Sequence, residues 1–302
     1  MTMDAEFNPP VGVAETLAPG LRRILAPNPS PMTWRGTNTY IIGQGHVALI
    51  DPGPDSPAHL QAILTATRGE TINAILVTHS HTDHSPLARP LAKISGAPVL
   101  AYGDSQAGRS QIMRKLVAAG MTGGGEGIDA DFKPDQILRD SETIHGPDWC
   151  LKALWTPGHM ANHLCFAWND VLFTGDHVMG WASSLVSPPD GDLTQFMASC
   201  ARIKLRKDRV YHAGHGAPVM DPAKRIKWLI SHRLKRESQI LAQMDGKEST
   251  ARSLTAQIYT DIPAALMPAA ERNVFAHLID LASRGLIAAD QPLYLGSKFS
   301  QL

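Results

Sequence analysis

The sequence predicts an α/β fold: an αββα sandwich of two sheet-plus-helix halves packed face to face, with a small winged-helix-like C-terminal domain. Short apolar runs alternate with helical segments over residues 36–102, and short strands, turns, a helix and a strand follow residue 137. Helical periodicity then dominates from residue 222. These patterns predict two domains, covering residues 1–220 and 221–302.

The first half begins with two predicted strands and a helix. Ser56 offers an N-cap, and Pro57 suits the first turn of the helix that follows. Gly96 is a suitable end for the second helix. The predicted elements are strands over 38–42 and 47–51, a helix over 59–67, a strand over 72–77, a helix over 86–94 and a strand over 98–102.

The C-terminal part is predicted to contain three helices and a hairpin. Ile226, Leu229 and Ile230 follow the spacing of an amphipathic helix. The predicted helices cover 222–244, 249–259 and 268–285, and the predicted hairpin strands cover 285–288 and 292–295. Helices followed by a short hairpin are typical of a winged-helix domain.

Composition limits the classes of partner and compartment. The formal net charge is zero, so there is no overall electrostatic attraction to nucleic acid or to an anionic membrane. The N-terminus has no basic-then-apolar pattern, and no apolar run approaches the roughly 20 residues of a membrane helix. The three cysteines have no CxxC spacing. We expect Cys150 and Cys165 to be buried thiols and the protein to be cytoplasmic.

A cluster of metal-type ligands follows the predicted strand over 72–77. The run Thr-His-Ser-His-Thr-Asp-His places three imidazoles and one carboxylate within six residues. Imidazole and carboxylate suit zinc, and also manganese or iron. Because the cluster has no cysteine, it favours a catalytic site with an open position over a closed structural one. The four residues are His79, His81, Asp83 and His84.

Three further candidate ligands lie at the ends of later apolar runs. His159, Asp176 and His215 each follow a glycine, which permits a sharp turn beside a metal. A single Gly-His or Gly-Asp pair is more often a plain turn. The joint order of the motifs is what indicates a shared site.

This order of motifs resembles the metallo-β-lactamase-fold hydrolases over about residues 20–220. The resemblance implies one metal bound by His79, His81 and His159, and a second bound by Asp83, His84 and His215. Asp176 would bridge the two metals. An aspartate at that position is similar to the glyoxalase II, lactonase and nuclease branches, and Asp51 matches the aspartate that supports the metal site from behind.

Further segments resemble the β-lactamase-like-protein-2 family, in its bacterial branch. They are residues 28–40, the Gly-His-Met-Ala-Asn-His run at 158–163, and the His-Ala-Gly-His-Gly run at 212–216. Some members of the wider subgroup act on single-stranded RNA. We therefore keep RNA cleavage as an alternative function.

The leading hypothesis is a dinuclear zinc hydrolase that uses a metal-bridging hydroxide on a small ester, thioester or lactone. Asp83 would orient the nucleophile or handle protons as well as bind metal. His163, His177 and His212 neighbour ligand positions, and are either groups that orient ligands or donate protons, or histidines satisfied in the core.

Other hypotheses remain open. These are single-stranded RNA cleavage, a metal-binding protein without turnover, and an iron-containing redox variant with a flavin partner. The missing basic charge weighs against RNA, and the tail lacks a flavin-type glycine pattern. A homodimer through the tail helices is also expected.

Overall fold

Two β-sheets pack face to face in the computed structural model of the chain, which describes residues 6–123 and 127–302. Residues 1–5, on which part of the expectation about targeting segments rests, lie outside the described residues. Within the described residues, the first sheet has seven strands and the second has five. A two-stranded hairpin lies near the C-terminus.

The first sheet is built in sequence order from the N-terminal part. Its strands are β1 (Glu15–Ala18), β2 (Leu21–Leu25), β3 (Asn38–Gln44), β4 (His46–Ile50), β5 (Thr71–Leu76), β6 (Val99–Ala101) and β7 (Gln136–Ile137). Strands β1 to β4 are antiparallel, whereas β5, β6 and β7 continue parallel to β4. Because parallel strands end at one edge, the segments after β4 and β5 emerge side by side.

The second sheet has the order β12-β11-β10-β9-β8. Its strands are β8 (Thr143–His145), β9 (Cys150–Trp155), β10 (Leu164–Trp168), β11 (Val171–Gly175) and β12 (Val210–Ala213). Among the described strands of this sheet, only β11 and β12 pair in parallel, so the C-terminal ends of these two strands lie together. At that edge, backbone hydrogen bonds join the two halves of the sandwich. The backbone amide of Asn38 donates to Gly214 O at 2.7 Å, and the backbone amide of Leu164 donates to Thr78 O at 2.7 Å.

The helices lie outside the sheets and in the C-terminal part. They are α1 (Pro57–Ala66), α2 (Ala88–Ser95), α3 (Gln111–Ala118), α4 (Leu193–Lys204), α5 (Pro222–Met244), α6 (Ala251–Ile258) and α7 (Met267–Ser283). As predicted, the Ser56 side chain caps α1, and Gly96 ends α2 with a left-handed backbone at φ +74°. Among the described residues, no helix is long and apolar enough to span a bilayer.

Three apolar layers hold the sandwich together. Tyr40 and Phe173 belong to the buried cluster between the two sheets. Ile63 of α1 and Leu91 of α2 belong to the cluster behind the first sheet. Phe196 of α4 belongs to the cluster behind the second. This arrangement of helix, sheet, sheet and helix confirms the predicted αββα sandwich.

The C-terminal part packs around a further apolar cluster, to which Met113 and Leu116 of α3 also belong. Helices α5, α6 and α7 pack together with a hairpin of β13 (Ile287–Ala289) and β14 (Phe299–Gln301). Phe275 of α7 and Phe299 of β14 are both buried there, with ring centroids 6.2 Å apart. The winged-helix-like character is confirmed by this order of elements. The division at residue 220 stays a prediction.

Two local predictions are wrong. The second strand of the hairpin lies at 299–301 rather than 292–295, because it is Phe299 that enters the apolar core, and Pro292 has no amide hydrogen to donate to a ladder. Cys150 is exposed rather than buried. It is the first residue of β9, where exposed and buried side chains alternate.

Candidate metal centre

Seven buried side chains meet where the two sheets join. The loop after β5 supplies four of them, and the turn between β9 and β10, the end of β11 and the end of β12 supply one each. All are at most 8% exposed. The structure thus brings together every predicted ligand: His79, His81, Asp83, His84, His159, Asp176 and His215.

Three histidines point one nitrogen each at a common space. His79 Nε2 lies 2.9 Å from His81 Nδ1, and His159 Nε2 lies 3.1 Å from the same atom. The ligand atoms of this group all fall within 4.8 Å of one another. Three imidazole nitrogens in this arrangement can hold one metal ion.

A second group combines a carboxylate with two histidines. Oδ2 of Asp83 lies 3.1 Å from His215 Nε2 and 3.2 Å from His84 Nε2. Asp176 lies beside both groups: its Oδ2 is 3.2 Å from His215 Nε2 and 3.8 Å from His159 Nε2. A carboxylate in that position can contact ions in both groups.

The outward nitrogens of the histidines are held by other parts of the chain. His84 Nδ1 lies 2.9 Å from Oδ2 of Asp51, which also accepts from the Thr78 hydroxyl at 2.7 Å. His159 Nδ1 lies 2.7 Å from the carbonyl oxygen of Leu185, and His215 Nδ1 lies 3.1 Å from a backbone carbonyl as well. In the neutral ring these acceptors fix the tautomer, so that the inward nitrogen is the one with a lone pair for a metal.

Electrostatics separates the two groups of ligands. Burial, helped by neighbouring imidazoles, lowers the pKa of His81 to about 3, so it is neutral at pH 7. Burial alone would also lower the pKa of His215, but the carboxylates of Asp176 and Asp83 outweigh burial and raise that pKa to about 10. Burial alone would raise the pKa of Asp83, but His84 and His215 hold that pKa well below its usual range. Metal binding to the second group therefore requires proton release.

The residues present fit metal ions. Among the described residues, four inward atoms are buried and lack a hydrogen bond: His84 Nε2, His215 Nε2, Asp83 Oδ1 and Asp176 Oδ1. The two imidazole nitrogens lie 3.1–3.5 Å from carboxylate oxygens, but without hydrogen-bond geometry. Buried polar atoms without partners are costly unless a ligand satisfies them. Imidazole and carboxylate are ligands of zinc, manganese and iron.

The predicted supporting residues lie at different distances from the cluster. Asp51 contacts the ligand His84 directly. The His163 ring lies 5.2 Å from that of His79, and its Nδ1 pairs with the Thr156 hydroxyl at 2.9 Å.

The other two candidates contact core side chains. His177 Nε2 lies 3.5 Å from Cys200 Sγ, and its ring packs against Phe196 at 4.5 Å. The His212 ring stacks on Phe173 at 5.4 Å. Their roles as orienting groups stay predictions.

Sequence reasoning missed several residues that hold the ligands. The Thr37 hydroxyl donates to Asp83 Oδ2 at 3.0 Å, and the Thr78 amide donates to Asp51 Oδ1 at 2.7 Å. Thr78 directly precedes the ligand His79, and this position was the available signal for it. Thr37 lies in the 28–40 segment, far in sequence from every candidate ligand, so only the tertiary structure shows its contact with Asp83. No sequence signal marked the Leu185 carbonyl, because any residue type can supply a backbone acceptor.

Two family models match the chain. The model of the metallo-beta-lactamase superfamily matches residues 32–215. The model of the beta-lactamase associated winged helix domain matches residues 250–292. The first covers more than half of the chain and contains all seven candidate ligands.

Curated relatives match most of the chain. The beta-lactamase-like protein 2 homolog of Drosophila melanogaster is 31% identical over 294 residues, which are 93% of this chain and 95% of that protein. The atrochrysone carboxyl ACP thioesterase of Aspergillus fumigatus is 29% identical over 256 residues, which are 82% of this chain and 71% of that protein.

Solved structures share the fold. A metallo-beta-lactamase family protein from Thermus thermophilus has a TM-score of 0.75 at 24% identity, covering 95% of this chain and all of that one. A beta-lactamase domain protein from Burkholderia ambifaria has a TM-score of 0.80 at 19% identity, covering 99% and 96%. The chain therefore belongs to the metallo-β-lactamase superfamily and is a hydrolase with the associated winged-helix domain.

Proposed function

We propose that the protein is a dinuclear zinc hydrolase that acts on a small thioester, ester or lactone. The observation that carries the proposal is the pair of ligand groups that share Asp176. The nitrogen-rich first group favours zinc, and manganese and iron are alternatives that bind the same types of ligand. The first ion would be held by His79, His81 and His159, and the second by Asp83, His84 and His215.

The metals would supply Lewis acidity and, by lowering the pKa of water to about 7, a hydroxide nucleophile at neutral pH. The chain's own residues hold that chemistry in place. Asp83 presents Oδ2 to two histidines and to the Thr37 hydroxyl, while its buried Oδ1 makes no hydrogen bond among the described residues. That oxygen is available to bind metal or to accept a proton from the nucleophile.

Three observations bear on the class of substrate. Relatives at 28–29% identity are named atrochrysone carboxyl ACP thioesterases. The chain has no net positive charge, so it lacks the overall attraction that steers polyanions. An aspartate rather than a cysteine stands at position 176. The first two favour acyl transfer to water over cleavage of a nucleic acid, whereas the aspartate fits the lactonase and nuclease branches alike.

The test combines metal analysis with turnover. Protein purified without added metal is analysed for zinc, manganese and iron, and is assayed on a thioester, a lactone and a single-stranded RNA. About two zinc ions per chain with thioester or lactone hydrolysis supports the proposal. Hydrolysis of RNA alone moves the assignment to the nuclease alternative. Absence of metal after reconstitution contradicts the ligand assignment.

Two further parts of the proposal concern the setting of the enzyme. The three cysteines form no disulfide, in agreement with a reducing compartment such as the cytoplasm. A homodimer through the tail helices stays a prediction that sedimentation analysis would test.

A further inference from the structure

A cavity of about 280 Å³ lies between the catalytic part and the C-terminal helices. Two segments of the catalytic part, around Met32 and over 179–185, form one side of it. Residues of α7 and of the segment between α6 and α7 form the other side. Its main apolar lining comes from Met32, Met179, Trp181, Ile262, Leu266 and Ala269.

The segments that line this cavity also hold metal ligands. The carbonyl of Leu185, a lining residue, lies 2.7 Å from His159 Nδ1. Trp181 packs against Gly216, the neighbour of His215: a Cβ built on that glycine would lie 2.6 Å from the indole ring. Trp181 also lies 5.7 Å, ring to ring, from Trp34. The cavity therefore adjoins the metal centre on the side of His159 and His215.

The chemistry of the lining selects an uncharged occupant. Of the described residues that line the cavity, none carries a charge. The Ser184 hydroxyl donates to a backbone carbonyl at 3.1 Å, and the Asn273 side-chain oxygen accepts from Arg233 at 2.6 Å. These two side chains are thus occupied, whereas the buried indole N–H of Trp181 has no hydrogen-bond partner among the described residues. An uncharged occupant can accept from that N–H, and two methionines offer adaptable apolar surface.

Buried arginines of α5 hold the cavity wall in place. Arg233, 1% exposed, donates to the carbonyl oxygens of Ser183 and Ser184. Arg225, also buried, donates to the carbonyl oxygen of Ala182. These bonds fix the backbone of the wall before any ligand arrives, which lowers the entropic cost of binding.

We propose that this cavity binds the apolar acyl group of the substrate, and that it sets a preference for acyl chains of roughly six to ten carbons. At about 30 Å³ for each water-sized group, the volume holds roughly nine such groups. The inference rests on the proposed acyl hydrolase function. Water oxygen adds to the acyl carbon, the C–S bond breaks, the thiol leaves with a proton, and the carboxylic acid keeps the chain.

The experiment uses N-acetylcysteamine thioesters of acetate, hexanoate, octanoate and palmitate on the zinc-loaded full chain, so that only the acyl group varies. We expect kcat/KM to rise by up to about fourfold for each added methylene as far as octanoate, and then to level off or fall. A rate that is independent of chain length while acetyl thioester is hydrolysed overturns the cavity assignment and leaves the hydrolase function standing.

Two variants change the volume of the cavity in opposite directions. Ala269→Phe reduces the volume and is expected to abolish the gain with chain length, while acetyl thioester turnover is kept. Ile262→Ala enlarges it and is expected to move the optimum to longer chains, a result that general damage to the fold cannot produce. The matched control is Ala119→Phe, an exposed position that lines a separate groove. Chain-length profiles unchanged in both cavity variants overturn the proposal.

A binding measurement separates the two hypotheses if no thioester is hydrolysed. Octanamide, which is uncharged, is titrated calorimetrically into the wild type, Ala269→Phe and Ala119→Phe. If the wild type and Ala119→Phe bind octanamide and Ala269→Phe does not, the cavity assignment is supported even though the proposed hydrolase function has failed. Absence of binding to the wild type overturns the cavity as well.

Discussion

Oδ2 of Asp51 lies 2.9 Å from Nδ1 of His84, at a site where both side chains are buried. The same carboxylate accepts from the amide and the hydroxyl of Thr78, each at 2.7 Å. Asp51 therefore connects the end of β4 to the loop after β5 and turns the other nitrogen of His84 towards Asp83 and Asp176. An outer carboxylate of this kind also makes the ligand more basic.

Asp51→Asn is expected to weaken zinc binding about 10- to 100-fold, the usual effect of losing such a partner. The amide nitrogen would face a donor, because both oxygens of Asp51 now accept hydrogen bonds. Competition with a chromophoric chelator measures the zinc affinity. Asp55→Asn, at an exposed position, is the control. Equal affinities in the wild type and Asp51→Asn would show that Asp51 does not support the metal site.

Asp83→Ala is expected to lower kcat by about 10²- to 10⁴-fold, a range typical of removing a group that transfers protons. Loss of its carboxylate should also weaken binding of the second zinc ion, since His84 and His215 would then be left with only the shared Asp176. Metal analysis and steady-state kinetics measure both effects, and circular dichroism checks the fold. Asp148→Ala, at an exposed position, should change neither quantity. Full activity with two zinc ions would exclude the role given to Asp83.

Arg233→Met is expected to lower the free energy of unfolding by about 2–4 kcal/mol, because one buried and two partly buried acceptors lose their donor. Burial lowers the pKa of Arg233 to about 10, so the side chain remains charged at pH 7. Urea titration measures the change. Arg89→Met breaks an ion pair whose side chains are 46% and 41% exposed, and should cost less than about 1 kcal/mol. Equal losses in the two variants would contradict the special position of Arg233.

The free energy of unfolding should decrease as the pH is lowered from about 6.5 to 4, because of His59. Burial lowers its pKa to about 4, and its Nε2 lies 2.8 Å from the Thr39 hydroxyl. In that window the unfolded chain binds a proton that the native state does not, so acid favours unfolding, by up to roughly 3 kcal/mol in total. Above the unfolded-state pKa of about 6.5, His59 is neutral in both states and adds no pH dependence to the free energy of unfolding.

His59→Gln keeps a donor for Thr39 but cannot titrate. In chelator-treated protein we expect its unfolding free energy to fall less steeply with pH than that of the wild type. Urea titrations from pH 7.5 to 4.5 measure the difference. Other buried histidines, such as His212, are present in both proteins, so their contribution cancels. Superimposable pH profiles would refute this assignment.

Local chemistry made much of the fold and the site predictable. Helix α5 spans residues 222–244 as predicted, because apolar spacing along the chain reports directly on a helix face. The ligands His79, His81 and Asp83 lie in one short loop, so their spacing revealed the cluster. Glycines before His159 and Asp176 marked the distant ligands, although only the joint pattern gave them weight.

The parts that were missed depend on tertiary contacts. The strand at 299–301 exists because Phe299 enters the C-terminal core, which a three-residue window cannot show. The Leu185 carbonyl holds His159 only because Arg233 and its neighbours place the segment there. The cavity beside the metal centre is formed by residues more than 200 positions apart in sequence.

The bonds from α5 to the segment over 182–185 make the tail a structural part of the active site. Arg225 and Arg233 lie in the C-terminal helices, yet the backbone they bind carries the acceptor for His159. Fraying of α5 would release that backbone and loosen a metal ligand with it. Folding of the tail and assembly of the metal centre should then be one cooperative event, and a chain truncated after the sandwich would lose catalysis even if its sheets survived.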